Sequence, residues 1–124
     1  MVGLDDDGQG LVTLRFHQPY EAEDEARYLA CLARLAEIRR AFRLLTIFGG
    51  GPGLSPRGER EQALWYKANR ETLKANCRAI AMVRPGASAE MERIFSQLFG
   101  CPVLATENEE DGRRFLARQG LGRA

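Results

Sequence analysis

The sequence predicts an α/β domain: a mainly parallel sheet of about five strands with an N-terminal antiparallel hairpin and four helices. Three observations predict it. Apolar runs of strand length recur at Leu11–Phe16, Phe42–Phe48 and Ala79–Val83. Between them lie stretches whose apolar residues repeat at three- and four-residue spacing, as a helix face requires. Glycine and proline punctuate the junctions, and strands that alternate with helices need right-handed crossovers into a parallel sheet.

At 124 residues the chain has room for one core and not for two ordinary ones. Its 44% hydrophobic and 28% charged residues match a self-folding domain rather than a disordered chain. Lys and Arg number 18 against 17 Asp and Glu, a formal net charge of +1 with the single histidine neutral. That balance predicts no nucleic-acid partner, because phosphate binding rests on a clustered basic excess. The longest apolar runs fall far short of the roughly 20 residues that span a bilayer, so no membrane insertion is expected. The opening Met1-Val2-Gly3-Leu4-Asp5-Asp6-Asp7 lacks the basic start and apolar stretch of a secretory signal, which implies a cytoplasmic protein. Cys31, Cys77 and Cys101 are odd in number and widely spaced, as suits structural thiols in a reducing compartment.

The elements follow in order. Met1–Leu4 and Leu11–Phe16 read as the two strands of an edge hairpin, with Val12, Leu14 and Phe16 on one face and the turn formers Asp5 to Gly10 between. Pro19 ends the second strand. Glu21, Glu23, Asp24 and Glu25 then favour the positive end of a helix that runs to about Arg40, with a buried stripe of Ala22, Ala26, Leu29, Leu32, Ala33 and Ala36.

Phe42–Phe48 is mostly apolar throughout, as in a central strand covered on both faces. Gly49-Gly50-Gly51-Pro52-Gly53 breaks it, and Ser55-Pro56 reads as an N-cap followed by proline at the first helical position. The helix that starts there ends near Asn76 and turns Leu64, Trp65, Ala68, Thr72 and Ala75 inward. Ala79–Val83 is the next buried strand. Ser88 caps a third helix with the face Met91, Ile94, Phe95 and Leu98, closed by Gly100. Val103–Ala105 is a short strand, and Thr106 with Glu109 forms a capping box for a last helix anchored by Phe115 and Leu116 and ended by Gly120.

This β-β-α-β-α-β-α-β-α order resembles the STAS fold of anti-sigma-factor antagonists, the anti-anti-sigma proteins. More closely, it is similar to the uncharacterised bacterial SpoIIAA-like proteins grouped as STAS/SEC14-like domains. The resemblance covers Met1 to about Gly120 and rests on element order, on Leu11–Phe16, on Leu54-Ser55-Pro56 before a long helix, and on Ala79–Val83. It implies a non-enzymatic module that regulates by binding another protein, and Ser55 as the nearest match to the serine that a partner kinase phosphorylates. The antagonists carry an Asp-Ser-Ser-Gly-like motif where this chain has Leu54-Ser55-Pro56-Arg57-Gly58, and Gly49-Gly50 stand where their aspartate follows the central strand.

Open parallel sheets meet ligands and partners at the carboxyl ends of their strands, which here carry His17 to Asp24, Gly49 to Arg57, Arg84 to Ser88 and Thr106 to Asn108. A phosphate on Ser55 would face free helix N–H groups, with Arg57 and Arg84 nearby; the same serine is already explained as an N-cap. The second reading is a small-ligand carrier in which Gly50, Gly51 and Gly53, with Ser55, Arg57 and Arg84, hold a nucleotide or lipid phosphate. Both nucleotide-binding glycine fingerprints are absent, and a sharp strand-to-helix turn accounts for the same glycines.

Trp65 and Tyr66 are adjacent on one helix and cannot both point inward, so one is a candidate anchor for a partner or for a homodimer face. Enzyme chemistry has less to build on: His17 is the only histidine, and the cysteines are too scattered for a metal site, so neither catalytic residues nor a cofactor is expected. Arg113, Arg114, Arg118 and Arg123 read as a solvated basic stripe.

Overall fold

The computed structural model describes residues 1–51 and 53–120. Pro52 of the glycine-rich loop and Arg123 of the basic stripe lie outside them. Along the described residues run β1 (Val2–Asp6), β2 (Leu11–Phe16), α1 (Asp24–Ala36), β3 (Phe42–Phe48), α2 (Pro56–Asn76), β4 (Cys77–Val83), α3 (Ala89–Phe99), β5 (Val103–Thr106) and α4 (Glu109–Ala117). The chain is therefore the α/β fold expected from its pattern, with a five-stranded mixed sheet in the order β1-β2-β3-β4-β5.

β1 runs antiparallel to β2, with Leu4 opposite Leu14, and the other neighbours are parallel. Pairing continues to Asp5 and Asp6, opposite Thr13 and Val12, so β1 starts one residue later and ends two residues later than Met1–Leu4. Because strand order equals chain order, each crossover from β2 to β5 steps the same way across the sheet. Right-handed crossovers then put α1, α2 and α3 on one face. α4 follows the last strand and covers the other face, where Leu45, Ile47, Ala79, Ala81 and Val83 close around Leu116. Val12, Leu44, Ile80 and Met82 form the core of the three-helix side.

α4 lies close to the sheet because Gly112 has no side chain: a Cβ there would stand 3.1 Å from Val83 Cγ2 and 3.3 Å from the Ala81 Cβ. Two polar clasps hold its ends. Arg15 donates to both carboxylate oxygens of Glu109 at 3.1 Å, and Arg43 donates to the Leu116 carbonyl at 3.0 Å.

The helices exist where expected, but their buried faces differ. α1 begins at Asp24, so Ala22 lies before it and is exposed; within the helix Ala26 and Ala33 are exposed, and the buried set is Asp24, Tyr28, Cys31, Leu32, Leu35 and Ala36. The two sets share the helical spacing; the bulkier Tyr28, Cys31 and Leu35 win because burying more apolar area releases more free energy. The helix also stops at Ala36, short of Arg40, where the Glu37 N–H closes on the Arg34 carbonyl.

In α2, Leu64 is 61% exposed, and Ala68 and Ala75 are exposed too. Its inner side is Gly58, Gln62, Trp65, Asn69, Leu73 and Asn76, a stripe whose polar members hide it from a hydrophobicity count. In α3, Ile94 and Leu98 are 41% and 40% exposed, and Met91, Phe95 and Phe99 pack against the core. Gly100 closes this helix in the left-handed conformation, φ +67°, and Ser88 caps its start by accepting from the Met91 N–H. α4 is capped by Asn108, whose side chain accepts from the Asp111 N–H at 3.0 Å. Thr106 is the last residue of β5, too early to cap a helix that begins at Glu109.

Replacing Gly112 by valine should overpack the α4 contact and cost about 1–3 kcal/mol in urea unfolding. Gly3→Val, where an added Cβ meets nothing within 4 Å, should leave stability unchanged or raised.

Candidate functional site at the carboxyl ends of the strands

β2, β3 and β4 all exit at one edge, at Phe16, Phe48 and Val83. Phe16 stacks on Phe48 at 5.0 Å between ring centroids, and Tyr28 from α1 meets both rings, so the rim rests on an aromatic floor. The glycine loop crosses the ring of Tyr20. A Cβ on Gly51 would come within 2.6 Å of that ring, and one on Gly49 within 2.7 Å of its hydroxyl. Gly50 adopts φ +94°, which favours glycine on its own account. Close passage over Tyr20 thus accounts for Gly49 and Gly51, and the turn itself for Gly50.

Ser55 is the N-cap of α2, its Oγ accepting from the Gly58 N–H at 3.1 Å. Two of the N–H groups at this helix start, those of Ser55 and Gly58, are already taken. Glu25 reaches over from α1, accepting from the Ser55 N–H at 2.6 Å and from the Ser55 hydroxyl at 2.8 Å. A carboxylate therefore already occupies the place at the positive end of the α2 dipole that an anion would take. These hydrogen bonds, the backbone one first, hold Glu25 below the usual carboxylate range. Gly58 is the residue that lets it in, since a Cβ there would lie 2.6 Å from the Glu25 carboxyl carbon.

The predicted anion cluster divides into two clefts. Ser55 lines one of about 410 Å³ with Glu21, Asp24 and Glu25. Gly50, Gly51 and Arg84 line another of about 610 Å³, with Glu59 and Gln62, and Gly53 borders both. Arg57 joins neither: its side chain is 84% exposed and meets Glu61 at 3.3 Å. Arg84 does not reach Ser55; its guanidinium carbon lies 5.6 Å from the Phe48 ring centroid, within cation–π range.

Trp65 and Tyr66 are both half-buried. Trp65 packs on the core, and Tyr66 meets Phe99 edge-on at 5.3 Å while its hydroxyl donates to the Leu98 carbonyl. The large apolar residue that α2 exposes is Leu64 instead. His17 is exposed on the rim with Nδ1 2.9 Å from the Gln18 carbonyl oxygen. Cys31 and Cys77 are buried, Cys101 is half-buried, and all three are free thiols. Sequence reasoning missed Glu25 as a cap, Thr46 as a buried polar group, and Gln62, which accepts from the Tyr28 hydroxyl. Thr46 alone had a legible signal, as the lone hydroxyl in an apolar run.

Among the described residues no helix is long and apolar enough to cross a membrane, and no group of three His, Cys, Asp or Glu side chains is placed to hold a metal ion. Compared with protein-family models, with curated proteins and with solved structures, the chain matches none.

Burial pushes the Tyr28 hydroxyl up to about 12. A folded-state value above the unfolded one, about 10, contributes stability that is complete below pH 10 and lost as pH rises through 12. Urea unfolding between pH 8 and 12 should show a loss on the order of 2–3 kcal/mol from this group. Tyr28→Phe should remove that alkaline loss, at a baseline lower by about 1 kcal/mol for the missing hydrogen bond.

Proposed function

We propose that the chain is a non-enzymatic, STAS-type regulatory module that binds another protein at this rim and along the outer face of α2, with phosphorylation of Ser55 as its control. The observation that carries the reading is the shared hydroxyl of Ser55, exposed at the seam where α1 meets α2 and bonded to Glu25. A phosphoserine carries about −1.5 to −2 charges and cannot donate to that carboxylate. Modification would turn an attractive contact into a like-charge clash, expel Glu25, and hand the helix N-terminus to the phosphate. The seam itself is then the two-state element.

The docking face that fits this switch is Leu64 with Ala68, exposed on α2 and flanked by Arg60, Lys67 and Glu71. An apolar centre with a charged edge is the ordinary anatomy of a protein interface. The element order expected of a STAS domain also supports the reading. A phosphate carrier at the glycine loop has less support, because Tyr20 and Glu25 already account for Gly49, Gly51 and the α2 N-terminus.

Ser55→Asp should lower the melting temperature by roughly 4 °C or more, and Glu25→Gln in the same chain should restore most of it, since aspartate is a good N-cap once the facing group is neutral. Cross-linking followed by mass spectrometry should place a partner on α2 in the wild type and lose it in Leu64→Asp and Ser55→Asp. Unchanged cross-links in both variants would remove the proposed surface.

A further inference from the structure

On the three-helix side, a cavity of about 400 Å³ lies between the sheet and α1, α2 and α3. That volume falls in the roughly 300–1,000 Å³ range of small-molecule sites. The strand register orders its wall by depth. Leu44 pairs with Ile80 at the inner level and Thr46 with Met82 at the next, and Phe48 and Arg84 follow at the rim. Leu35 and Phe95 also line it. The inner end is hydrocarbon, and polar groups gather towards the rim.

Of those polar groups Tyr28, Gln62 and Tyr66 are hydrogen-bonded, and two others lack partners. Thr46 is 8% exposed and lines the cavity, yet among the described residues its Oγ1 makes no hydrogen bond; the same holds for the indole Nε1 of Trp65, on the opposite wall. A buried donor left unpaired is costly and uncommon, and two on one cavity point to a ligand acceptor between them. Arg84 lines both this cavity and the rim cleft above it, and makes no ion pair among the described residues. Among the described residues Glu59 is the one carboxylate lining that cleft. One guanidinium set against one carboxylate favours a singly charged head over a phosphate.

We propose that this cavity is a binding site for an apolar monocarboxylate, its hydrocarbon body lying under α2 against Leu44 and Ile80 and its acid group turned towards Thr46, Trp65 and Arg84. The site is separate from the Ser55 seam and does not depend on the protein-binding reading.

Trp65 is the only tryptophan of the chain and lies in the cavity wall, so its fluorescence reports occupancy directly. Decanoate and 1-decanol serve as probes, titrated below their aggregation limits into wild type, Arg84→Gln and Thr46→Val, with circular dichroism confirming that each variant is folded. The expected result is a saturable, blue-shifting change with decanoate at one site per chain, tighter than decanol in the wild type, weakened roughly tenfold in Arg84→Gln so that decanoate is no tighter than decanol there, and weakened in Thr46→Val. Native mass spectrometry should show the same one-to-one complex. No saturable change with either probe overturns the site. Decanol binding as tightly as decanoate in the wild type, with no effect of Arg84→Gln, overturns the assignment of an anionic head.

Discussion

The attachment of α2 governs what the rest of this structure can do. The helix is tied at its start by the Glu25 carboxylate on Ser55 and by the Tyr28–Gln62 hydrogen bond. At its end, Leu73 is buried, and Asn76 donates to the Ile38 carbonyl at 3.2 Å. Between these ties Trp65 and Tyr66 reach the core only in part. A helix pinned at both ends and loosely filled along its middle yields two features at once: a seam at the rim that charge can open, and an apolar space beneath it.

The two faces of the sheet contrast for a topological reason. Stepwise right-handed crossovers place three helices on one side and leave one to cover the other. The single helix compensates by lying close, through Gly112, and by clasps at both ends from Arg15 and Arg43. The crowded side cannot bring three helices equally close to one twisted sheet. Its residual space collects where α1, α2 and α3 meet, which is where Thr46 Oγ1 and Trp65 Nε1 sit without a hydrogen-bond partner among the described residues. Packing quality and functional potential are thus distributed by connectivity rather than by composition.

Much of the backbone was legible. β2 and β3 match the expected spans, α2 begins and ends where its serine, proline and asparagine indicate, and Ser88 and Gly100 bracket α3. Those signals are local: a cap or a left-handed glycine acts within one turn. Helix faces were less legible. The alanines at 22, 26, 33 and 68 have the right spacing for burial, yet small side chains yield little on burial and are readily left outside. Gln62, Asn69 and Asn76 take inner positions on α2 because partners elsewhere in the chain, or within the helix, meet their hydrogen-bonding needs.

The candidate site shows the same division. That the strand ends would carry the glycine loop, Ser55 and Arg84 followed from the order of elements alone. Which of these meet did not, because it depends on side chains from separate elements: Glu25 crossing to the α2 N-terminus, Tyr20 lying under Gly49 and Gly51, Arg84 turning onto Phe48. By itself the sequence determined the kinds of element, their order, their caps and hence the sheet, since these arise from contacts within a few residues and from chain handedness. Only the tertiary structure decided which face of each helix is buried, which charge fills the helix end and where space remains, since those outcomes depend on several elements competing for one volume.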